Sequence, residues 1–253
     1  MAYDFTGTGS DDAIITNLTA HNDQRSYGLW VYREGDGEGG LGRMFDKRDN
    51  DAEVEFFFAF GTNNTYNFKR VFSTTAGEWS IPEPSLNAGH RLLITYDSSD
   101  VANDPTIDVD GVSQTVTVVA TPVGTANTNT SAYLLGNRNH PTSGFNRSWD
   151  GGLGEWAVWD RLLTSDERTI FKSNYSALFI PDGLIRYSPL IRSLNDRKDN
   201  GAQTTNDTPT VIAHPPIIRR APIASAFAAA GAPPAGLVIP VAMDYYRRLR
   251  VGA

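Results

Sequence analysis

Short segments with period-two alternation of apolar and polar residues, separated by turn-forming residues, dominate residues 1–163. About ten such segments occur there, with Gly, Asn or Asp turns roughly every 8–15 residues. In Glu53–Phe60, the clearest of them, Glu53 and Glu55 would form the solvated face. Its apolar face would consist of Val54, Phe56, Phe58 and Phe60. This spacing predicts an all-β sandwich or barrel rather than alternating strands and helices.

The sequence predicts one helix. Thr164 and Glu167 have the spacing of a capping box, in which the Thr164 hydroxyl accepts from the Glu167 amide and the Glu167 carboxylate reaches back. Ile170 and Phe171 supply an apolar face, and the helix should end near Asn174. Such a helix would cover one end of the sandwich.

Composition excludes several classes of protein. The 253 residues contain no cysteine, so disulfides, thiolate metal sites and cysteine nucleophiles are excluded. No stretch approaches about 18 consecutive apolar residues, so no membrane span is expected. The opening residues, MAYDFTGTGSDD, lack the basic and apolar regions of a secretory signal, and none is expected. A net charge of −7 disfavours nucleic acid as a partner.

The net charge is unevenly distributed along the chain. Residues 209–253 hold five Arg and one Asp, a balance of +4, so residues 1–208 carry −11. The same last segment holds seven of the 14 prolines. We therefore predict a sandwich over 1–180, an annex over 181–208 and an extended, Pro/Ala-rich arm over 209–253.

Four motifs follow one another along the chain: GHRLLITYD (Gly89–Asp97), IDVDGV (Ile107–Val112), YLLGNR (Tyr133–Arg138) and WDGGLGEWAVWDRLLTSDE (Trp149–Glu167). Together they resemble the laminin-G-like branch of the concanavalin A-like lectin/glucanase superfamily. The resemblance implies an antiparallel jelly-roll β-sandwich with one short helix, followed here by the extended C-terminal arm. The chain departs from the family pattern at Asp108, where an aromatic is common, and at Gly154-Glu155, where Asp-Glu is usual.

Relatives of this kind include glycan binders, calcium-dependent adhesion modules, hydrolases and inert virion modules, so the resemblance implies a fold without fixing an activity. Trp149, Trp156 and Trp159 are the candidate glycan-binding residues, as an aromatic platform on which a sugar ring stacks. The competing interpretation, which we favour, places them in the core, because Trp156 and Val158 fall on one face of a strand.

The most tempting catalytic pattern is Glu34, Asp36 and Glu38. Related retaining β-glucanases use alternating carboxylates on one strand, about 5 Å apart. Here the intervening residues are Gly35 and Gly37, which predict a mobile, solvated loop that cannot fix two carboxyl groups. We therefore expect no enzymatic activity, and polysaccharide hydrolysis ranks last among the functional hypotheses.

Calcium is the one cofactor that the resemblance suggests. Relatives bind it through Asp side chains and backbone carbonyls at a rim of the sandwich. The candidate ligands here are Asp11, Asp12, Asp97, Asn137 and Asp150. No DxDxDG loop is present, and Asx turns and caps explain the same residues without a metal.

The arm carries more apolar residues than a solvated linker usually does, although a disordered tail is the alternative. The residues expected to anchor it to a partner are Ile217, Ile218, Ile223, Phe227, Leu237, Ile239, Tyr245, Tyr246, Arg247, Arg248 and Arg250. They would add strands to sheet edges or fill apolar grooves on neighbouring subunits. The arginines would pair with an acidic surface, such as the body of another copy.

A lectin-like sandwich with an arm, without cysteine or a signal, resembles bacteriophage virion proteins. The leading hypothesis is therefore a non-enzymatic structural protein of the virion surface, made in the host cytoplasm, that decorates a capsid or tail. Its partners would be other copies of itself and a capsid or tail protein. The alternative is a lectin-type adhesion module that binds a surface glycan. A membrane partner is not expected.

Overall fold

The computed structural model describes residues 2–7, 11–19, 22–49, 52–190, 194, 196–198, 203–207, 209–213 and 216–217. These residues belong to one compact unit, which spans residues 1–218. Of the proposed anchoring residues, Ile217 is described. The others lie outside the described residues: Ile218, Ile223, Phe227, Leu237, Ile239, Tyr245, Tyr246, Arg247, Arg248 and Arg250.

The regular secondary structure of the described chain consists mainly of strands. In chain order they are β1 (Ala2–Thr6), β2 (Ala13–Ile15), β3 (Gln24–Arg33), β4 (Arg43–Asp49), β5 (Ala52–Phe60), β6 (Thr65–Arg70), β7 (Gly77–Pro82), β8 (Gly89–Asp97), β9 (Thr106–Val109), β10 (Val112–Ser113), β11 (Thr117–Ala120), β12 (Tyr133–Leu135), β13 (Asn139–His140), β14 (Gly144–Phe145), β15 (Asp150–Trp159), β16 (Leu184–Ser188), β17 (Thr204–Asn206) and β18 (Thr210–Ile212). The helix α1 is Ser165–Lys172, and Glu38–Gly40 and Ala177–Phe179 form 3-10 turns. Within the described ranges, no helix is long and apolar enough to cross a membrane.

The strands form two antiparallel sheets that pack face to face. Sheet 1 has the order β10-β9-β8-β3-β15-β1-β18, with β16 also paired to β15. Sheet 2 has the order β11-β7-β6-β5-β4-β12-β2-β17, and β13 and β14 form a separate hairpin. The prediction of an antiparallel jelly-roll β-sandwich with one helix is confirmed. The edge strand β18 pairs with β1, so the sandwich includes residues at the start of the predicted arm.

The predicted solvated face of β5 is wrong for Glu55. Glu55 is 2% exposed and lies on the same side of the strand as Phe57, which belongs to the core between the sheets. The Tyr27 and Tyr133 hydroxyls both donate to its Oε1. Burial, and then the neighbouring Glu55, raise the pKa of both phenols. A carboxylate can therefore face this core because hydrogen-bond donors meet it there.

The predicted capping box of α1 is confirmed. The Glu167 amide donates to Thr164 Oγ1 at 3.4 Å, and the Thr164 amide donates to Glu167 Oε2 at 2.9 Å. Phe171 anchors the helix on the outer face of sheet 1. Its ring packs edge-on against Trp159, with centroids 5.7 Å apart, and lies 3.7 Å from the guanidinium carbon of Arg91.

Stability near α1 is expected to depend on the charge of Glu167. Arg161 donates to both Glu167 carboxylate oxygens, at 2.6 and 2.7 Å, and lowers the pKa of Glu167 from 4.5 to about 2. Because the folded pKa is the lower one, the carboxylate stabilises the fold above pH 4.5, and this contribution is lost as the pH falls towards 2. The difference in unfolding free energy between wild type and Glu167→Gln should therefore shrink steadily over this range in urea denaturation.

The control for this experiment is Asp166→Asn, which removes a carboxylate from the same helical turn and leaves the Arg161–Glu167 pair in place. The effect of Asp166→Asn on the unfolding free energy should not shrink over the pH range in which the Glu167→Gln effect is lost. A Glu167→Gln effect that stays constant from neutral pH down to about pH 3 would contradict the assignment.

Asp108 joins α1 to β9. This carboxylate is 1% exposed and accepts from Arg168 Nη2 at 2.8 and 3.0 Å, with Lys172 Nζ at 3.2 Å. The helix thus supplies the cations that allow an acid to stand where the family commonly has an aromatic. We expect Asp108→Asn, which keeps the volume and removes the charge, to destabilise the protein by about 2 kcal/mol in thermal or urea denaturation.

A double-mutant cycle with Arg168→Ala separates this pair from other effects at Asp108. The Asp108→Asn effect should fall below about 1 kcal/mol when Arg168 is absent. Equal effects in both backgrounds would mean that the ion pair does not hold the helix.

Candidate functional site

An open cleft lies on the outer face of sheet 1, where β3 ends. Tyr27, Leu29 and Val31 of β3 point into the core between the sheets. Because side chains alternate along a strand, Trp30 and Tyr32 point to the opposite face. Their rings stack on each other, with centroids 6.2 Å apart and planes inclined by 22°.

The neighbouring strand β8 leaves room for this aromatic pair. Gly89 of β8 is paired with Tyr32, and a Cβ atom at Gly89 would lie 2.7 Å from Trp30 Nε1. Any side chain at this position would push the indole off the sheet. Glycine therefore lets the Trp30 ring lie close to the backbone of β8, which fixes the ring as one wall of the cleft.

The opposite wall comes from the chain that leaves β18. The cleft has a volume of about 520 Å³ and lies among Trp30, Tyr32, Glu34, Gly89, Ile212, Ala213 and Pro216. Ligand sites in proteins are usually concave, largely apolar and about 300–1,000 Å³ in volume. The cleft matches this description, since an aromatic pair, aliphatic side chains and one carboxylate line it.

Exposure separates Trp30 from the other tryptophans. Trp30 is 8% exposed, whereas the other four, Trp79, Trp149, Trp156 and Trp159, are at most 1% exposed. The interpretation of Trp149, Trp156 and Trp159 as a stacking platform is therefore wrong, because a sugar can reach none of their rings. Trp149 and Trp156 belong to the core between the sheets, and Trp159 packs under α1.

Two further carboxylates act on Glu34 at one end of the cleft. The Glu34 amide donates to the Asp150 carbonyl oxygen at 2.9 Å, which brings the end of β3 against the start of β15. Burial, followed by repulsion from Asp4 and Asp150, raises the pKa of Glu34. Burial, Asp4 and Asp36 likewise raise the pKa of Asp150. This end of the cleft is therefore negatively charged.

The acidic turn after Glu34 is held in place, and the prediction of a mobile loop is wrong. The Glu38 amide donates to the Ser148 carbonyl oxygen and the Gly42 amide to the Asp36 carbonyl oxygen, each at 2.9 Å. The Asp36 carboxylate accepts from Arg33, and Glu38 Oε2 accepts from the Ser148 amide at 3.4 Å. Both carboxylates thus hold the turn in shape.

The candidate calcium ligands do not gather into a cluster of acidic side chains in the described part of the chain. No group of three or more His, Cys, Asp or Glu side chains is placed there to hold a metal ion. Asp97 accepts from the Ser99 amide at 3.0 Å, as in an Asx turn. The structure places the remaining candidates at strand ends and in connecting segments: Asp11, Asp12, Asn137 and Asp150. Asn137 Nδ2 donates to the Asp12 carbonyl oxygen at 3.2 Å.

A sequence profile described as the concanavalin A-like lectin/glucanases superfamily, Laminin_G_3, matches residues 7–167. The chain belongs to this superfamily. The match covers more than half of the sequence and confirms the resemblance drawn from the four motifs. No curated protein matches the sequence.

Solved structures at low sequence identity share the fold. The native heptameric SAP-like pentraxin from Limulus polyphemus has a TM-score of 0.55 at 15% identity, covering 81% of this chain and 91% of the pentraxin. A putative carbohydrate binding protein from Bacteroides ovatus has a TM-score of 0.54 at 14% identity, covering 82% and 59%. The NanB sialidase from Streptococcus pneumoniae has a TM-score of 0.51 at 14% identity, covering 66% of this chain and 26% of the sialidase.

Sequence reasoning missed Trp30, Tyr32 and Glu34 as one site. Their period-two spacing at the end of a strand was a usable signal, because it places three side chains with sugar-binding chemistry on one face. The sequence alone did not show that this face borders a cleft.

Proposed function

We propose that the chain is a non-enzymatic carbohydrate-binding module whose binding site is the cleft at Trp30, Tyr32 and Glu34. The observation that carries the proposal is an aromatic pair bordering an open cleft next to a carboxylate, on a lectin-like sandwich. Aromatic rings pack against the C–H face of a sugar, and a carboxylate accepts hydrogen bonds from its hydroxyl groups.

The absence of catalysis in this proposal follows from the state of the nearby carboxylates. Glycoside hydrolysis uses two carboxyl groups on either side of the scissile bond, one acting as an acid. Asp36 is engaged by Arg33 and Glu38 by the Ser148 amide. Glu34 is the one carboxylate among the described lining residues, and Asp4 and Asp150, which raise its pKa, are not part of that lining. We therefore assign Glu34 to hydrogen bonding with a sugar rather than to bond cleavage.

The test starts with a glycan array and continues with calorimetric titration of the glycans that bind. Tyr32→Ala should weaken binding about tenfold, since an aromatic contact contributes roughly 1 kcal/mol beyond the apolar area that it buries. Tyr175→Ala is the matched control, because Tyr175 is another half-buried tyrosine whose ring contacts an aromatic, here edge-on against Phe179. Equal affinities for the two variants would remove the cleft as the binding site.

We also propose that the chain is a structural protein of a virion, in which residues 209–253 anchor the sandwich to a capsid or tail protein and to other copies. The supporting observation is the division of charge, with +4 in this segment against −11 in residues 1–208. Complementary charge on neighbouring copies would favour assembly on a particle surface. This role and glycan binding are compatible, because a displayed lectin-like domain would attach the particle to a host or environmental polysaccharide.

The anchoring role is tested by truncation after Ile218, which keeps β18 in sheet 1. The truncated chain should fold, as judged by its thermal transition, and should no longer copurify with particles assembled in its presence. Incorporation equal to that of the full chain would rule out anchoring by this segment.

A further inference from the structure

The charged groups at the described part of the cleft are acidic. Glu34 is the one charged side chain among the described residues that line it. Asp4 and Asp150 are close enough to act on Glu34, and together with burial they raise its pKa. Among the described residues, none with a basic side chain offsets this effect. Three carboxylates thus contribute to the potential at one end of the cleft.

Two described basic side chains that are next in sequence to lining residues contact other acids. Arg33 contacts Asp36, and its Nη2 lies 2.5 Å from Glu83 Oε2. His90 Nδ1 lies 2.6 Å from Asp110 Oδ2. A negatively charged sugar would therefore meet repulsion at Glu34, and none of the described lining residues supplies a cation to receive it, which disfavours sialylated, uronic acid and sulfated glycans.

An ammonium group on the ligand would be attracted by the carboxylates that repel an acidic sugar. It would donate charge-assisted hydrogen bonds to the Glu34 carboxylate and offset the repulsion among the three acids. The Trp30 and Tyr32 rings add a cation–π contribution when a cation lies within about 6 Å of a ring centroid. A neutral sugar can make the stacking contact but does not offset the repulsion.

We infer that the cleft selects glycans that carry a free amine, such as oligomers of glucosamine, over their N-acetylated, neutral and acidic counterparts. The inference rests on the proposed function, because it assigns a ligand class to the same cleft. It adds a role for Glu34, which discriminates by charge, whereas the aromatic pair holds the sugar ring.

The experiment titrates the full chain with three probes of equal length: a glucosamine tetramer, an N-acetylglucosamine tetramer and a galacturonate tetramer. Intrinsic tryptophan fluorescence and calorimetry report binding at a mildly acidic pH, where the sugar amine is protonated. The glucosamine tetramer should bind about tenfold tighter than its N-acetylated form, in line with one charge-assisted hydrogen bond at a partly exposed site. The galacturonate tetramer should bind weakest.

Glu34→Gln keeps the size of the side chain and removes its charge. It should abolish the preference for the amine, so that the variant binds the glucosamine and N-acetylglucosamine tetramers with affinities within about twofold of each other. The matched control is Asp166→Asn, which removes an exposed carboxylate from α1. This variant should keep the full preference, which excludes an effect of net charge alone.

The two levels of the proposal fail in different ways. If the N-acetylated tetramer binds as tightly as the glucosamine tetramer, or if Glu34→Gln keeps the preference, the ligand class is wrong and the cleft stays a glycan site. If no glycan on the array binds and Tyr32→Ala changes nothing, the proposed function itself is wrong.

Discussion

Trp156→Ala should destabilise the protein by about 3–5 kcal/mol, the range measured when a large buried aromatic is removed. Trp156 is 1% exposed and lies between the two sheets. Its ring stacks on Tyr27 of sheet 1 at 5.9 Å and meets Phe45 and Tyr133 of sheet 2 at 5.1 and 6.1 Å. The substitution leaves a cavity where both sheets meet, and the urea midpoint should fall accordingly.

Two further variants make this result specific. Trp156→Phe keeps an aromatic ring and loses no hydrogen bond, since Nε1 has no partner among the described residues, so it should cost less than about 2 kcal/mol. Val118→Ala, at a side chain that is 44% exposed, should change stability by less than about 0.5 kcal/mol. A Trp156→Ala protein of near wild-type stability that had lost glycan binding would reverse our assignment of this residue.

Local sequence signals predicted the elements of this fold well. The capping box at Thr164 and Glu167 predicted α1 because both partners lie within one helical turn. The alternation in β5 predicted a strand, since period two is a property of the strand itself. The path of the chain between elements came from the family resemblance rather than from these patterns.

Burial was less predictable because it depends on the strands that pack on each face. Glu55 has the pattern of a solvated residue, yet it lies in the core because Tyr27 and Tyr133, distant in sequence, place their hydroxyls beside it. The burial of the tryptophans was equally hard to predict from sequence. Trp30 and Trp156 both lie on strands of sheet 1, and the opposing sheet covers only the face that carries Trp156.

The cleft illustrates why a site of this kind is hard to predict from sequence. Its walls come from the end of β3, from Gly89 and from Ile212 and Pro216, which meet only after sheet 1 has formed. The acidic turn at Glu38 was misread for the same reason, because the Ser148 backbone that fixes it is 110 residues away. Long-range pairing, which no local pattern encodes, creates both features.

Gly28→Ala should destabilise the protein by about 1–3 kcal/mol through overpacking beneath α1. Gly28 lies on the same face of β3 as Trp30, and a Cβ atom there would lie 2.4 Å from the tip of the Phe171 ring. The ring cannot easily yield, because Arg91 covers its face at 3.7 Å and Trp159 meets it at 5.7 Å. The added methyl group should therefore displace the helix from the sheet and lower the thermal midpoint.

A double mutant with Phe171→Ala separates this clash from other effects at Gly28. Phe171→Ala alone should cost about 3–5 kcal/mol, and adding Gly28→Ala should then cost little, because no ring remains for the methyl group to strike. Additive losses would show that Gly28 is needed for another reason. Since Gly28 and Trp30 share one face of β3, glycan binding gives a second readout: Gly28→Ala should leave binding at the cleft unchanged wherever the protein is folded, because the helix and the cleft occupy different parts of that face.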